Sequence, residues 1–166
     1  MSAQEYAFLV LALVGTIAAV RLVTTKNVVH GALYLVVTLA SVGATYLVLA
    51  AEFVGWVQIL IYVGAIVILL LFGLMLTKAP IGREALDNQR RGVAFLVGLA
   101  IVAGLVFMIQ EAFPWNGVRI ARGEGGTTSI GLSIFSDFVL PFEVVSFLLL
   151  AALIGAIVLS RRDDRT

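Results

Sequence analysis

The sequence contains no cysteine and only one histidine, His30, among 166 residues. The lack of cysteine excludes disulfides, thiol catalysis and thiolate-bound zinc or iron–sulfur clusters within this chain. A single histidine likewise excludes a metal site or a haem held by several histidines of the same chain. Charged residues make up only 13% of the sequence, about half the usual share. The net charge of +1 gives no electrostatic argument for nucleic-acid binding.

Motifs typical of independent enzymes and channels are also missing. The sequence has no GxxxxGK(S/T) phosphate loop, no GxGxxG dinucleotide fingerprint, no HExxH metal motif and no TVGYG filter. No GxSG segment supports a serine hydrolase that would use His30. These absences argue against a chain that catalyses a reaction alone.

Long apolar runs dominate what is present. Apolar residues make up 61% of the chain and the mean hydropathy is +1.11, whereas soluble domains are about 45–50% apolar. A helix that crosses a bilayer needs about 20 mostly apolar residues. The sequence therefore predicts an all-α integral membrane protein, treated as a single membrane domain over 1–166. Its five transmembrane helices are predicted at residues 6–23, 28–50, 53–77, 92–109 and 139–159.

Basic residues between these spans predict the orientation in the membrane. An N-outside, C-inside arrangement places nine lysines and arginines inside and two outside, as the positive-inside rule requires. The inside residues are Arg21, Lys26, Lys78, Arg83, Arg90, Arg91, Arg161, Arg162 and Arg165, and the outside residues are Arg119 and Arg122. Residues 110–138 are then a long outside loop before the last helix.

The third span carries an unusual combination of polar, glycine and β-branched residues. At α-helical spacing Gln58 and Tyr62 share one face, with Gly55 and Ala65 on the same stripe. One interpretation is helix packing, because small residues allow close approach and polar side chains hydrogen-bond across helices. The other starts from Gly64 among isoleucines and valines, which are weaker helix formers. Such a helix can switch locally between α and π hydrogen bonding.

Two carboxylates lie at the ends of predicted spans. Glu143 follows Pro141 near the start of the fifth span, and Glu52 precedes the third. The structural interpretation of Glu143 is an acid in the first turn that caps its own helix, where the helix dipole favours a carboxylate. That of Glu52 is an interfacial acid at a helix start. Each also has a functional one, as a proton-relay group or partner contact, because ionisable residues in a membrane are costly.

Three segments together resemble subunit J of bacterial NADH–quinone oxidoreductase, the counterpart of mitochondrial complex I subunit 6. The segments are Asn27-x-Val29-His30-Gly31-Ala32-Leu33, then Glu52-Phe53 with Gln58 and Tyr62-x-Gly64-Ala65-Ile66, and Phe138-Val-Leu-Pro141-Phe142-Glu143-Val-x-Ser146-x-Leu-Leu-Leu150. The number of spans and the long loop before the last one fit as well. Val28 and Gln58 depart from the pattern, because many relatives have proline and some have an acid there.

The resemblance implies a core subunit of the proton-pumping membrane arm, in the inner membrane of a bacterium, without independent catalytic activity. It implies no cofactor in this chain; flavin, iron–sulfur clusters and quinone are expected in partner subunits. The implied partners are the antiporter-like and quinone-site subunits and the lipid bilayer, with no nucleic acid. A helix switch at Gly64, gating by Tyr62, and contributions from Gln58, Glu143 and Glu52 are implied for coupling. Gln58 can relay a proton through water but cannot hold the charge.

The sequence alone is also compatible with other classes of function. A small scaffold that only holds neighbouring subunits together would lack redox motifs equally well. A subunit of a related cation/proton antiporter or membrane-bound hydrogenase complex would share the architecture. A stand-alone transporter is a further alternative, which would work when reconstituted alone.

Overall fold

Helices account for the regular structure of the described part of the chain. The computed structural model describes residues 2–76, 91–113 and 126–161. Within these ranges the helices are α1 (Ala3–Thr24), α2 (Val28–Val48), α3 (Glu52–Leu76), α4 (Arg91–Ala112), α5 (Thr127–Ser136) and α6 (Val139–Ser160). All but α5 are long and apolar enough to cross a membrane. The five predicted spans are therefore confirmed, with ends that agree to within three residues.

Several residues behind the predicted orientation lie outside the described residues. These are Lys78, Arg83, Arg90, Arg119, Arg122, Arg162 and Arg165. The N-outside, C-inside arrangement stays a prediction.

The chain divides into two compact units, Met1–Arg122 and Gly123–Thr166. In the first unit α2 contacts both α1 and α3, and among the described helices α1 and α3 do not contact each other. The three helices thus form a layer with α2 in the middle. Short connections favour this arrangement, because they place consecutive helices antiparallel and adjacent.

Side-chain caps fix where the first two helices begin. Ser2 and Glu5 form a capping box, in which Ser2 Oγ accepts from the Glu5 N–H at 3.3 Å and Glu5 Oε2 accepts from the Ser2 N–H at 3.0 Å. Asn27 Oδ1 accepts from the N–H groups of Val29 and His30 at 3.0 and 3.4 Å. Because unpaired N–H groups at a helix start are costly in an apolar surrounding, these residues fix the start positions. Asn27 therefore has a local structural role within the first segment of the resemblance.

The end of α2 adopts a left-handed turn at an alanine. Ala50 has a φ of 62°, its N–H donates to Leu47 O at 3.1 Å, and the Ala51 N–H donates to Tyr46 O at 2.9 Å. This bond pattern is a Schellman motif, whose left-handed position is usually glycine. An L-residue in this conformation costs roughly 1–2 kcal/mol.

Replacing Ala50 by glycine is expected to stabilise the α2–α3 connection by about 1 kcal/mol, because the steric cost of the left-handed conformation disappears. The measurement is the midpoint of detergent-induced unfolding of the purified chain in mixed micelles. Ala51→Gly is the matched control, since Ala51 has a φ of −91° and gains nothing from glycine. Equal midpoints for the two variants would contradict the expectation.

The fourth membrane helix is unpartnered in the described part of the first unit. No Cα atom of α4 lies within 8 Å of a Cα atom of another described helix of the first unit. Its side chains from Gly92 to Ala112 are all exposed. The described helices of the first unit therefore supply no neighbour for α4.

The second unit contains a helix that the sequence analysis did not anticipate. Residues 110–138 were expected to form a loop, yet α4 extends to Ala112 and α5 occupies Thr127–Ser136. Phe135 of α5 stacks edge-on against Phe142 of α6, with ring centroids 5.1 Å apart and an interplanar angle of 62°. Ile130 and Ile134, four residues apart, are half-buried. This apolar face explains why a segment rich in threonine and serine is helical. Residues 114–125 lie outside the described residues.

Candidate functional site

The third membrane helix contains a π-helical segment in its middle. Helix α3 is α-helical over Glu52–Val57, π-helical over Gln58–Ile66, and α-helical again over Val67–Leu76. The Val67 N–H donates to Tyr62 O, five residues earlier. π-Helices are rare and frequently mark functional sites. Gln58, Tyr62 and Gly64, three of the predicted site residues, all lie within this segment.

The π segment changes which residues of α3 face the rest of the chain. Gly55 and Val67 are both buried, and the parts of α3 before, within and after the π segment all contact α2. An α-helix turns about 100° per residue and would carry Val67 about 120° away from Gly55. The wider π turns take up this difference, so that both residues face α2.

The burial of the residues along α3 differs from the predicted stripe of Gly55, Gln58, Tyr62 and Ala65. Gly55 is buried and Gln58 is half-buried, but Tyr62 is 44% exposed and Ala65 is exposed. The predicted stripe assumed α-helical spacing throughout, and the burial of these residues does not follow it within the π segment. In the π segment the half-buried positions beyond Ile59 are Val63 and Gly64.

Two glycines bring α2 and α3 into close contact at the start of the π segment. A Cβ atom on Gly55 would lie 2.7 Å from Leu47 Cδ2 and 3.2 Å from the backbone oxygen of Gly43. A Cβ atom on Gly43 would lie 2.7 Å from Ile59 Cγ1 and 3.4 Å from Gln58 Cγ. These distances leave no room for a larger residue without movement. The contact therefore holds the first half of α3 against the middle helix of the layer.

Gly64 is in a different environment from these two glycines. A Cβ atom there would meet only the backbone oxygen of Ile59, at 3.7 Å, which is an ordinary contact distance. Gly64 is therefore not required for packing against another helix of the described chain. Its absent side chain instead lowers helix propensity by about 1 kcal/mol relative to alanine, in a segment that departs from α-helix.

The polar side chains of α3 have no partner within the described part of the chain. Neither the Gln58 amide nor the Tyr62 phenol makes a side-chain hydrogen bond there, and the same holds for the Glu52 carboxylate. Glu52 is exposed in the first turn of α3, about 9 Å along the axis from Gln58 at 1.5 Å per residue. Its predicted position at a helix start is confirmed.

Glu143 lies in the second unit, in the second turn of α6. Helix α6 starts at Val139, which places Pro141 in the first turn as predicted and Glu143, two residues after Pro141, just past that turn. The start of α6 has no side-chain cap, so the interpretation of Glu143 as an acid that caps its own helix is wrong. Its carboxylate is exposed and pairs with no described residue. Partners for Glu143 have to come from beyond these residues.

Two structural contributors were missed by sequence reasoning. The Gly43–Gly55 crossing joins glycines from different helices, and no spacing within one helix reveals such a pair. The extent of the π segment depends on which positions pack against α2. The only available sequence signal was Gly64 among β-branched residues, which indicates a weak α-helix and no particular register.

Comparison with known proteins identifies a family over most of the chain. Residues 18–159 match the family described as NADH-ubiquinone/plastoquinone oxidoreductase chain 6. The matched range contains α2, α3, α4, α5 and nearly all of α6. It therefore includes the π segment, the Gly43–Gly55 contact and both candidate carboxylates.

Individual relatives agree with this match. The chain is 32% identical to NADH-quinone oxidoreductase subunit J of Pseudomonas aeruginosa, over 98% of this chain and 99% of that protein. It is 40% identical to NAD(P)H-quinone oxidoreductase chain 6 of Leptolyngbya boryana, over 96% and 81% of the two chains. It is 41% identical to F(420)H(2) dehydrogenase subunit J of Methanosarcina mazei, over 94% and 90%.

Proposed function

We propose, since the chain belongs to the NADH-ubiquinone/plastoquinone oxidoreductase chain 6 family, that it is a core membrane-arm subunit of a proton-pumping NADH:quinone oxidoreductase. It couples quinone reduction to proton translocation and has no catalytic activity of its own. Flavin, iron–sulfur clusters and quinone belong to partner subunits. Those partners include the antiporter-like and quinone-site subunits, and the assembly lies in the inner membrane of a bacterium.

The π segment Gln58–Ile66 is the observation that carries the coupling role. Conversion of this segment to α-helix would turn Val67–Leu76 by about 120° relative to Glu52–Val57, as the 100° per residue of an α-helix requires. Such a rotation moves side chains by several ångströms without breaking the helix. A helix with two registers is a bistable element of the kind that couples distant sites.

The positions of Gly64, Tyr62 and Gln58 in the π segment suggest a role for each of them. Gly64 lowers the cost of leaving or regaining the α-helical form, because glycine adds no side chain to the turn. Tyr62, half-exposed in the membrane, moves with the rotation and gates the hydration of a proton path. Gln58 lies at the fixed end and relays protons through water. Glu52 supplies a carboxylate to that path or to a partner subunit. Glu143, in the second unit, supplies one to local proton or partner contacts.

Exposure of the polar groups supports an assembled complex over a stand-alone transporter. Side chains that cost free energy in lipid face protein or water-filled cavities in membrane proteins. Among the described residues Gln58, Tyr62 and Glu143 have no side-chain hydrogen-bond partner, and Tyr62 and Glu143 are exposed. Neighbouring subunits must complete their surroundings.

The electron donor is set by other subunits of the complex. Relatives that are 32–41% identical carry names with three different donors, NADH, NAD(P)H and F(420)H(2). Similar chains therefore occur with different donors, which fits a role in the shared membrane part. NADH is the donor we propose for this chain, from the subunit J relative that matches over nearly its full length.

The test is purification of the chain from its native membrane in mild detergent, followed by reconstitution into vesicles. We expect it to migrate with a large assembly that contains flavin and iron–sulfur clusters, and we expect NADH to drive proton uptake. Reduced F(420) in place of NADH is the control for the donor. Migration alone, or with antiporter subunits that lack redox centres, would reject the proposal.

A further inference from the structure

Gly43 of α2 lies outside the π segment but contacts its first turn. Gly43 is buried, and its nearest neighbours across the helix crossing are the side chains of Ile59 and Gln58. These are the first two residues of the π segment. The middle helix therefore contacts α3 at the point where its hydrogen bonding changes.

Ile59 connects this contact to Gly64. The Ile59 side chain packs on Gly43, with Cγ1 2.7 Å from the position of an added Cβ atom. The Ile59 carbonyl oxygen faces Gly64, 3.7 Å from the corresponding Cβ position there. One residue thus touches the middle helix through its side chain and the Gly64 turn through its backbone. A displacement of Ile59 changes the geometry of that turn.

Helix α2 is held in place by helices on both sides of the Gly43 contact. Helix α2 is covered by α1 on one side and by α3 on the other. Ser41, two residues before Gly43, is 6% exposed, and its Oγ lies 2.5 Å from the Cβ position of Gly15 in α1. Because α2 packs against a helix on both sides, a larger residue at position 43 does not displace α2. The overlap with Ile59 displaces α3 instead.

We propose that Gly43 is a positioning residue for the helix switch: through Ile59 it sets the place of the first π turn and thereby the balance between the two registers of α3. The proposal rests on the coupling function proposed above. Gly43 itself touches neither protons nor quinone. It holds Glu52–Val57 and the side chain of Ile59 in place while Val67–Leu76 turns.

The test is a double-mutant cycle of Gly43→Ala and Ile59→Ala in the intact complex. The readout is the ratio of proton uptake to NADH oxidation in inverted membrane vesicles. Gly43→Ala is expected to lower this ratio by about two- to thirtyfold, the range in which residues between coupled sites act. Ile59→Ala removes Cγ1, so the double variant is expected to regain most of the wild-type ratio, as contacting residues do.

The outcomes separate this proposal from the coupling function. A wild-type ratio in Gly43→Ala, or a double variant no better than Gly43→Ala alone, overturns the role of Gly43. If Gly43→Ala fails to assemble, the double variant is expected to restore both assembly and the ratio, and its failure overturns the role as well. If the wild-type complex drives no proton uptake with NADH, the coupling function itself fails first.

Discussion

Deletion of Ile61 is expected to leave the complex assembled and to reduce its coupled proton translocation by about 5- to 150-fold, the usual range of a coupling free energy. The deletion removes one residue from the middle of the π segment. Ile61 is 47% exposed, so its loss removes little packing within the chain. The loss of proton translocation comes from the changed rotation of the second half of α3 relative to its first half.

The reason is the angle around the helix axis between Gly55 and Val67. With one residue fewer, eleven α-helical steps amount to about 1,100°, which is about 20° more than three full turns. An uninterrupted α-helix then keeps both residues against α2. The shortened helix can pack against α2 as an uninterrupted α-helix. It therefore no longer alternates between the π-containing and the α-helical form, on which the coupling depends.

Ile61→Ala is the matched control, because it alters the same side chain and keeps the number of residues. We expect this variant to pump protons like the wild type. Gly64→Val is the complementary variant, since a β-branched side chain in the Gly64 turn raises the barrier between registers without changing the length of α3. If the deletion variant assembles and pumps at the wild-type ratio, the helix-switch mechanism is refuted.

Gly55→Val is expected to lower the amount of assembled complex, through a loss of about 1–3 kcal/mol or more of packing free energy between α2 and α3. Its Cβ atom would lie 2.7 Å from Leu47 Cδ2 and 3.2 Å from Gly43 O. Leu47 can change its rotamer, but a backbone oxygen within a packed helix cannot move aside. The two helices have to separate.

Gly73→Val provides the comparison within the same helix. A Cβ atom on Gly73 meets nothing within 4 Å, so this variant carries the same change in helix propensity without a collision. The measurement is the yield of assembled complex and its melting temperature in detergent. Equal losses for the two variants would show that helix propensity, and not the close approach to α2, determines the result.

The five spans could be predicted because their signal is strong and local. Twenty apolar residues in a row have few structural alternatives, and the predicted ends of α2 and α6 are correct to within two residues. The helix α5 was missed because its ten residues contain several threonines and serines. Its stability comes from packing on α6, which a reading of local composition does not include.

The candidate site could be predicted only in part, for a geometric reason. Tyr62 and Gly64 were correctly placed in an unusual part of the third helix. Their orientation was not, because a face is assigned by assuming a helical period, and the π segment changes that period. The contact of Gly43 with Ile59 depends on how two helices cross. A single sequence carries no direct signal for it.

The unpartnered helix α4 has a consequence for biogenesis. Insertion of α4 into the bilayer is driven by its own apolar residues, whereas no described helix of the first unit fixes its lateral position. Helices α1 to α3 can reach their final packing soon after synthesis. In a copy without partner subunits, the first unit gives α4 no packed neighbour, and we expect the cell to use this difference to recognise unassembled copies.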